Sequence, residues 1–125
     1  MRIDNECVRD ILFAVEKEST TTSPCYIPLK NDTNGLKNYD KEKLSYHLRY
    51  LKMKQMIYNP DEMAPYGYDL TPSGHEFLSN VRDDKNWNKI KSISSNIGFA
   101  SLKIISAIAE GVATAAINQQ LGFSK

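Results

Sequence analysis

The stretch "DLTPSGHEFLSNVRDDKNW", Asp69–Trp87, decides how the rest of the chain is read. It holds Pro72, Gly74, His75, an acidic pair and the only tryptophan of the sequence. Such density marks either a working site or a demanding junction. The residue types favour a junction. Thr71 is suited to cap a helix through its hydroxyl. Pro72 fits the first helical turn, where its missing N–H is not needed. Gly74 early in a helix costs roughly 1 kcal/mol relative to alanine. A glycine at that cost predicts the close approach of another group. Phe77 and Val81 share one helical face, whereas Trp87 and Ile90 point away from it. The "RDD" between them predicts a break, with Asp83 or Asp84 capping a second helical segment. Asp69–Trp87 is therefore expected to be a strand-to-helix junction and not a catalytic centre.

Upstream, "MIY", "NPDEMAPYG" and "YDL" predict a strand, a Pro-bearing tip and a returning strand, which together make a hairpin. Before the hairpin, Asp40 caps "KEKLSYHLRYLKMKQ", where Leu44, Leu48 and Leu51 recur at helical spacing. His47 and Tyr50 flank that stripe. This is the most basic helix of the chain, with Lys41, Lys43, Arg49, Lys52 and Lys54 against Asp40 and Glu42. "CYIPLK" predicts a short strand, and Pro28 places it at a sheet edge because it lacks a donor. "STTTSP" and "NDTNGLKN" predict turns. At the start, Asp4 caps a helix from Asn5 to Glu18. Val8, Ile11, Leu12 and Val15 form its buried stripe, and Glu6, Arg9, Asp10 and Lys17 its polar face.

The order is helix, edge strand, basic helix, hairpin, helix. That is the layout of a winged helix–turn–helix domain within an α+β, mainly helical fold. The first helix of the helix–turn–helix pair is not evident, so either "NDTNGLKN" stands in for it or it is missing. The domain is expected over residues 1–95, with an added C-terminal helix over 96–125.

The run "YDLTPSGHEFL" is similar to the wing exit of MarR-type and PadR-type regulators, where it serves packing. "YDKEKLSYHLRYLKMKQMI" with "LTPSGHEFLSNVRDDKNW" resembles a family of small bacterial and phage proteins of unknown function, frequent in prophages. The resemblance covers nearly the whole chain. It implies a fold and a phage-type genomic setting, not a reaction. Two departures stand out. Gln55 occupies a position where the family pattern has glycine, and Pro72 one where it often has tryptophan.

The sequence has 125 residues and a net charge of +1, so one modest core is expected and no global field draws it to nucleic acid or membrane. Cys7 and Cys25 fit no zinc or redox spacing. With no signal sequence at the N-terminus, a cytoplasmic setting with free thiols is expected. His47 and His75 lack a short metal-ligand spacing. Each is expected to span a core edge and bond to backbone. Asp83 and Asp84 diverge by about 100° on a helix and cannot easily share an ion. No phosphate loop, serine-nucleophile motif or dinucleotide fingerprint occurs, so neither an enzyme nor a cofactor is expected.

The basic helix is the best functional candidate. Lys41, Lys43, Ser45, Tyr46, Arg49, Lys52 and Lys54 are its polar positions. Arg49 suits a bidentate base contact, and the lysines suit phosphates. Lys85 and Lys89 could add phosphate contacts. The partner expected on this reading is double-stranded DNA. The alternative is a host or phage protein, held by exposed Tyr58, Met63, Tyr66 and Tyr68 around the hairpin. In the C-terminal segment, Leu102, Ile105, Ile108 and Val112 form an apolar stripe. Ala107, Gly111 and Ala115 form a small-residue ridge. A homodimer through this helix, or packing on its own domain, is expected ahead of membrane contact. Lys103 and Glu110 would be costly in a bilayer.

Overall fold

The computed structural model describes residues 1–27, 35–98 and 101–122. They form a mainly helical α+β structure in the order α1 (Asn5–Glu18), β1 (Cys25–Tyr26), α2 (Lys41–Met53), β2 (Ile57–Tyr58), β3 (Gly67–Leu70), α3 (Pro72–Val81), α4 (Asp84–Ile97) and α5 (Leu102–Gln120). The three short strands make an antiparallel sheet in the order β1-β3-β2. The chain divides into two compact units, Met1–Glu76 and Phe77–Lys125. The expectations for Pro28 and for the Asn31–Asn34 part of "NDTNGLKN" lie outside the described residues. The described residues that follow, Gly35–Asp40, make turns ahead of α2.

In the first unit, α1 starts at Asp4, whose side chain caps it. The Asp4 carboxylate accepts hydrogen bonds from the Glu6 and Cys7 N–H groups at 2.9 and 3.4 Å. Val8, Ile11, Leu12 and Val15 are buried as their spacing requires, and Cys7 and Ala14 join them. Arg9 departs from the expected polar face. It is buried, with its guanidinium 4.9 Å from the centre of the Phe13 ring. A long aliphatic stem and a planar cation allow this, which charge alone does not reveal.

α2 buries Leu44, His47, Leu48 and Leu51. It ends in a paired-bond turn: Met56 N–H donates to Leu51 C=O at 2.9 Å, and Gln55 N–H to Lys52 C=O at 3.0 Å. That turn puts its next-to-last residue in the left-handed region. Gln55 is there, at φ 59, the one non-glycine residue at positive φ among the described residues. Gln55 therefore leaves the turn as glycine would make it, at a cost in strain. Left-handed backbone costs a side-chain-bearing residue about 1–2 kcal/mol, and glycine's extra chain entropy returns part of that. Gln55→Gly should stabilise the protein by about 0.5–1 kcal/mol, read as a rise of a few degrees in thermal midpoint.

The opening stretch clasps this turn. Thr71 N–H donates to Met56 C=O at 3.0 Å, and the Thr71 hydroxyl donates to Gln55 C=O. The same hydroxyl oxygen accepts from Gly74 N–H at 3.0 Å, which caps α3 as expected. The start of α3 is thus laid directly on the end of α2. Gly74 faces the Met56 carbonyl. A Cβ there would overlap the carbonyl oxygen and stand 3.1 Å from its carbon. The predicted close approach is a backbone one.

The second unit holds the rest of α3 with α4 and α5. Asp83 caps α4 by accepting from Asn86 N–H at 3.0 Å, and Gly98 ends the helix at φ 77. The break expected at "RDD" is this recapping. α4 and α5 pack together. Trp87, Ile90 and Ser94 are the buried face of α4; Leu102, Ile105, Ala109 and Val112 are that of α5. No helix among the described residues is long and apolar enough to cross a membrane.

Candidate functional site

The residues expected to carry function gather mainly on α2. At about 100° per residue, the buried leucines leave an outward face centred on Arg49. Lys41, Ser45 and Lys52 flank it on one side, and Tyr46, Tyr50 and Met53 on the other. Lys41, Arg49, Lys52 and Lys54 are exposed; Ser45 and Tyr46 are half-buried. The Arg49 guanidinium lies 5.2 Å from the centre of the Tyr46 ring, which steadies it without neutralising it.

Lys43 does not join this face. Its ammonium bonds the Asp4 carboxylate at 2.6 Å and lies 5.5 Å from the Tyr39 ring. It ties α2 to the cap of α1, a structural role the sequence reading did not give it. Burial pushes the Asp4 carboxyl up, but the hydrogen bonds from Lys43 and from the Glu6 and Cys7 N–H groups outweigh it and hold the acid below its ordinary value. The Asp4 hydrogen bond in turn raises Lys43. Tyr39 sits beside them, donating its hydroxyl proton to Asp10 at 2.6 Å.

His47 completes this network. It is fully buried. Its Nδ1 lies 2.8 Å from Lys43 C=O, which can only accept, so Nδ1 carries the proton. Nε2 is then free to accept from Asp4 N–H, at 2.8 Å. The backbone role expected for a core-edge histidine holds here. It fails for His75, which is exposed on α3. The two histidines therefore occupy different environments. Burial pushes the Cys7 thiol up to about 12 and the Cys25 thiol up to about 11, so neither is poised as a nucleophile.

Between α2 and the sheet runs a groove of about 230 Å³. Ile27, Leu44, Leu48 and Tyr68 give it an apolar lining, and Ser45, Arg49, Lys52 and Tyr66 supply its polar groups. Tyr68 corrects an expectation: it is buried, 8% exposed, and not a free interface residue. It shares a strand face with Leu70, and burial raises its phenol. Tyr58, Met63 and Tyr66 are exposed around the hairpin as expected, Met63 at 92%. A second hollow, of about 510 Å³, lies on the outer side of α2 between Tyr46, Arg49, Tyr50 and Met53. Neither of the last two is among the candidate site residues read from sequence, where Tyr50 only flanks the leucine stripe. Their spacing to Tyr46, four and seven residues, was the available signal.

Lys85 and Lys89 are exposed on α4 and belong to the second unit. Of the residues expected in dimerisation, Leu102, Ile105 and Val112 are in the buried face of α5, and Ile108 is half-buried. Ala107, Gly111 and Ala115 are exposed, and a Cβ at Gly111 would meet nothing within 4 Å.

A family model described as "Hypothetical protein (DUF2513)" matches residues 2–100, from the α1 cap through α4. The chain belongs to the DUF2513 family. An uncharacterized protein of Haemophilus influenzae is 30% identical over 118 residues, covering 90% of this chain and 95% of that protein. No solved structure matches. The matched stretch of this DUF2513 protein contains the Gly74 junction, the His47 network and all of α2, whereas α5 lies beyond it.

Proposed function

We propose that this DUF2513 protein is a winged-helix protein that binds double-stranded DNA through α2 and serves regulation, without catalysis, in a phage-type setting. The sheet order β1-β3-β2 with a hairpin directly after α2 supports the winged-helix reading. The observation that carries the DNA reading is the outward face of α2. Lys41, Arg49 and Lys52 are exposed there, with no carboxylate partner among the described residues. A 13-residue helix is about 20 Å long and fits the major groove. Arg49, at the centre of the face, is placed for a guanine edge. Lys41, Lys52 and Lys54 are placed for phosphates. The hairpin contributes no cation, since residues 56–71 contain neither lysine nor arginine. Between helix and hairpin, affinity therefore rests on the helix.

The test is binding of the full chain to a labelled duplex from its own upstream region, with random duplex as competitor. Arg49→Glu with Lys52→Glu should weaken the complex at least about thirtyfold, since a bidentate base contact is worth about 1–3 kcal/mol and each reversed charge adds repulsion. Unchanged affinity in that variant would remove α2 as the reading helix. The exposed Tyr58, Met63 and Tyr66 favour a second reading, a protein-binding role for the hairpin.

A further inference from the structure

The first unit displays two exposed apolar patches of opposite charge. One is the hollow on α2, where Tyr46, Tyr50 and Met53 surround Arg49, and Met53 is 78% exposed. The other is the hairpin tip, where Met63 projects beside exposed Asp61 and Glu62. Neither belongs to the buried core. Met and Tyr are the residue types that protein interfaces favour over the rest of the surface.

The tip is already set in shape. The Asp61 carboxylate accepts from Met63 N–H at 2.9 Å, and Ala64 N–H donates to Asp61 C=O at 2.9 Å. The Asn59 amide donates to Pro65 C=O at 3.2 Å and to Gly67 C=O at 2.9 Å. A knob held by its own backbone loses little freedom on docking. The hollow, about 510 Å³ and lined by two tyrosines, offers space and ring edges for a thioether.

We propose that two copies of this chain pair reciprocally, the Met63 tip of each seating in the Tyr46–Arg49–Tyr50–Met53 hollow of the other. Glu62 faces Arg49 across each contact. Because the same pair of patches is used twice about a two-fold axis, the assembly closes as a dimer and does not grow. Each half is small, so the reciprocity supplies the area that a single contact lacks. The pairing covers Arg49. If α2 reads DNA as proposed above, the dimer and the DNA complex exclude each other. The pairing itself does not depend on that reading, and its test contains no DNA.

Sedimentation of the full chain from roughly 1 to 200 µM, the range of weak interfaces, gives the test. A monomer–dimer equilibrium is expected. Met63→Ser, Glu62→Lys and Arg49→Glu should each weaken it about tenfold or more. All three positions are exposed, or in the case of Arg49 held only by a ring, and circular dichroism checks that each variant folds. Mixing the Glu62→Lys chain with the Arg49→Glu chain should restore a dimer, because each mixed pair keeps one matched contact and regains an opposite-charge pair in the other. A chain that stays monomeric throughout overturns the proposal. So does a dimer that none of the three variants weakens, or a mixture that associates no better than its components.

Discussion

Gly74→Ala will cost the protein about 2–3 kcal/mol, a large loss for a single added methyl group. The added Cβ has nowhere to go. It overlaps the Met56 carbonyl oxygen, and that oxygen belongs to backbone that cannot rotate away alone. Moving it breaks the Thr71 N–H bond to Met56 C=O and strains the hydroxyl bond from Thr71 to Gln55 C=O. Overpacking of this kind costs about 1–3 kcal/mol, and each lost hydrogen bond adds about 1. Alanine's better helix propensity returns at most about 1 kcal/mol. Thermal unfolding should show a drop of about 10 °C or more, or no cooperative transition. A variant as stable as the parent would mean that α3 does not lie on the α2 turn as described.

His47→Phe should cost about 2 kcal/mol, although it keeps an aromatic ring of similar size in a fully buried place. The loss is polar. Phenylalanine leaves the Asp4 N–H without its acceptor at the point where α1 begins, and an orphaned donor costs about 1–3 kcal/mol. The Lys43 carbonyl loses less, because it remains in the helix ladder. His47→Gln, whose side-chain oxygen can reach the same N–H, should recover part of the difference. Amide exchange gives a local readout: Asp4, Glu6 and Cys7 should lose protection before the remainder of α1. Equal stability of the phenylalanine variant would reduce His47 to a space-filler.

These two sites also show what one sequence reveals. The Gly74 junction was legible because threonine, proline and glycine each have a local backbone reason to stand where they do. The same holds for the caps at Asp4, Asp40 and Asp83 and for the leucine stripe of α2. Local periodicity and capping chemistry involve neighbours a few residues apart. The His47–Asp4–Lys43 network joins positions 39 and 43 residues apart, and no spacing rule encodes that. It engages Lys43, expected as a phosphate contact, in a structural ion pair. The burial of Tyr68 is within reach of the strand period. Tyr68 stands two residues before the inward Leu70 and so shares its face. Arg9 is a charged residue whose ring contact and aliphatic stem allow burial, which its charge in the sequence does not reveal.

The central claim is that an exposed basic face on α2 binds DNA, and the salt dependence of that binding tests it most directly. The full chain should be titrated with duplex DNA at several salt concentrations. Four cations, Lys41, Arg49, Lys52 and Lys54, are available on α2. Arg49 is assigned to a base edge and the three lysines to phosphates, so at about 0.9 per phosphate contact in the slope of log affinity against log salt, a slope of roughly −3 is expected. A flat salt dependence, or no complex at low salt, would contradict the claim and leave α2 as the basic side of a protein interface.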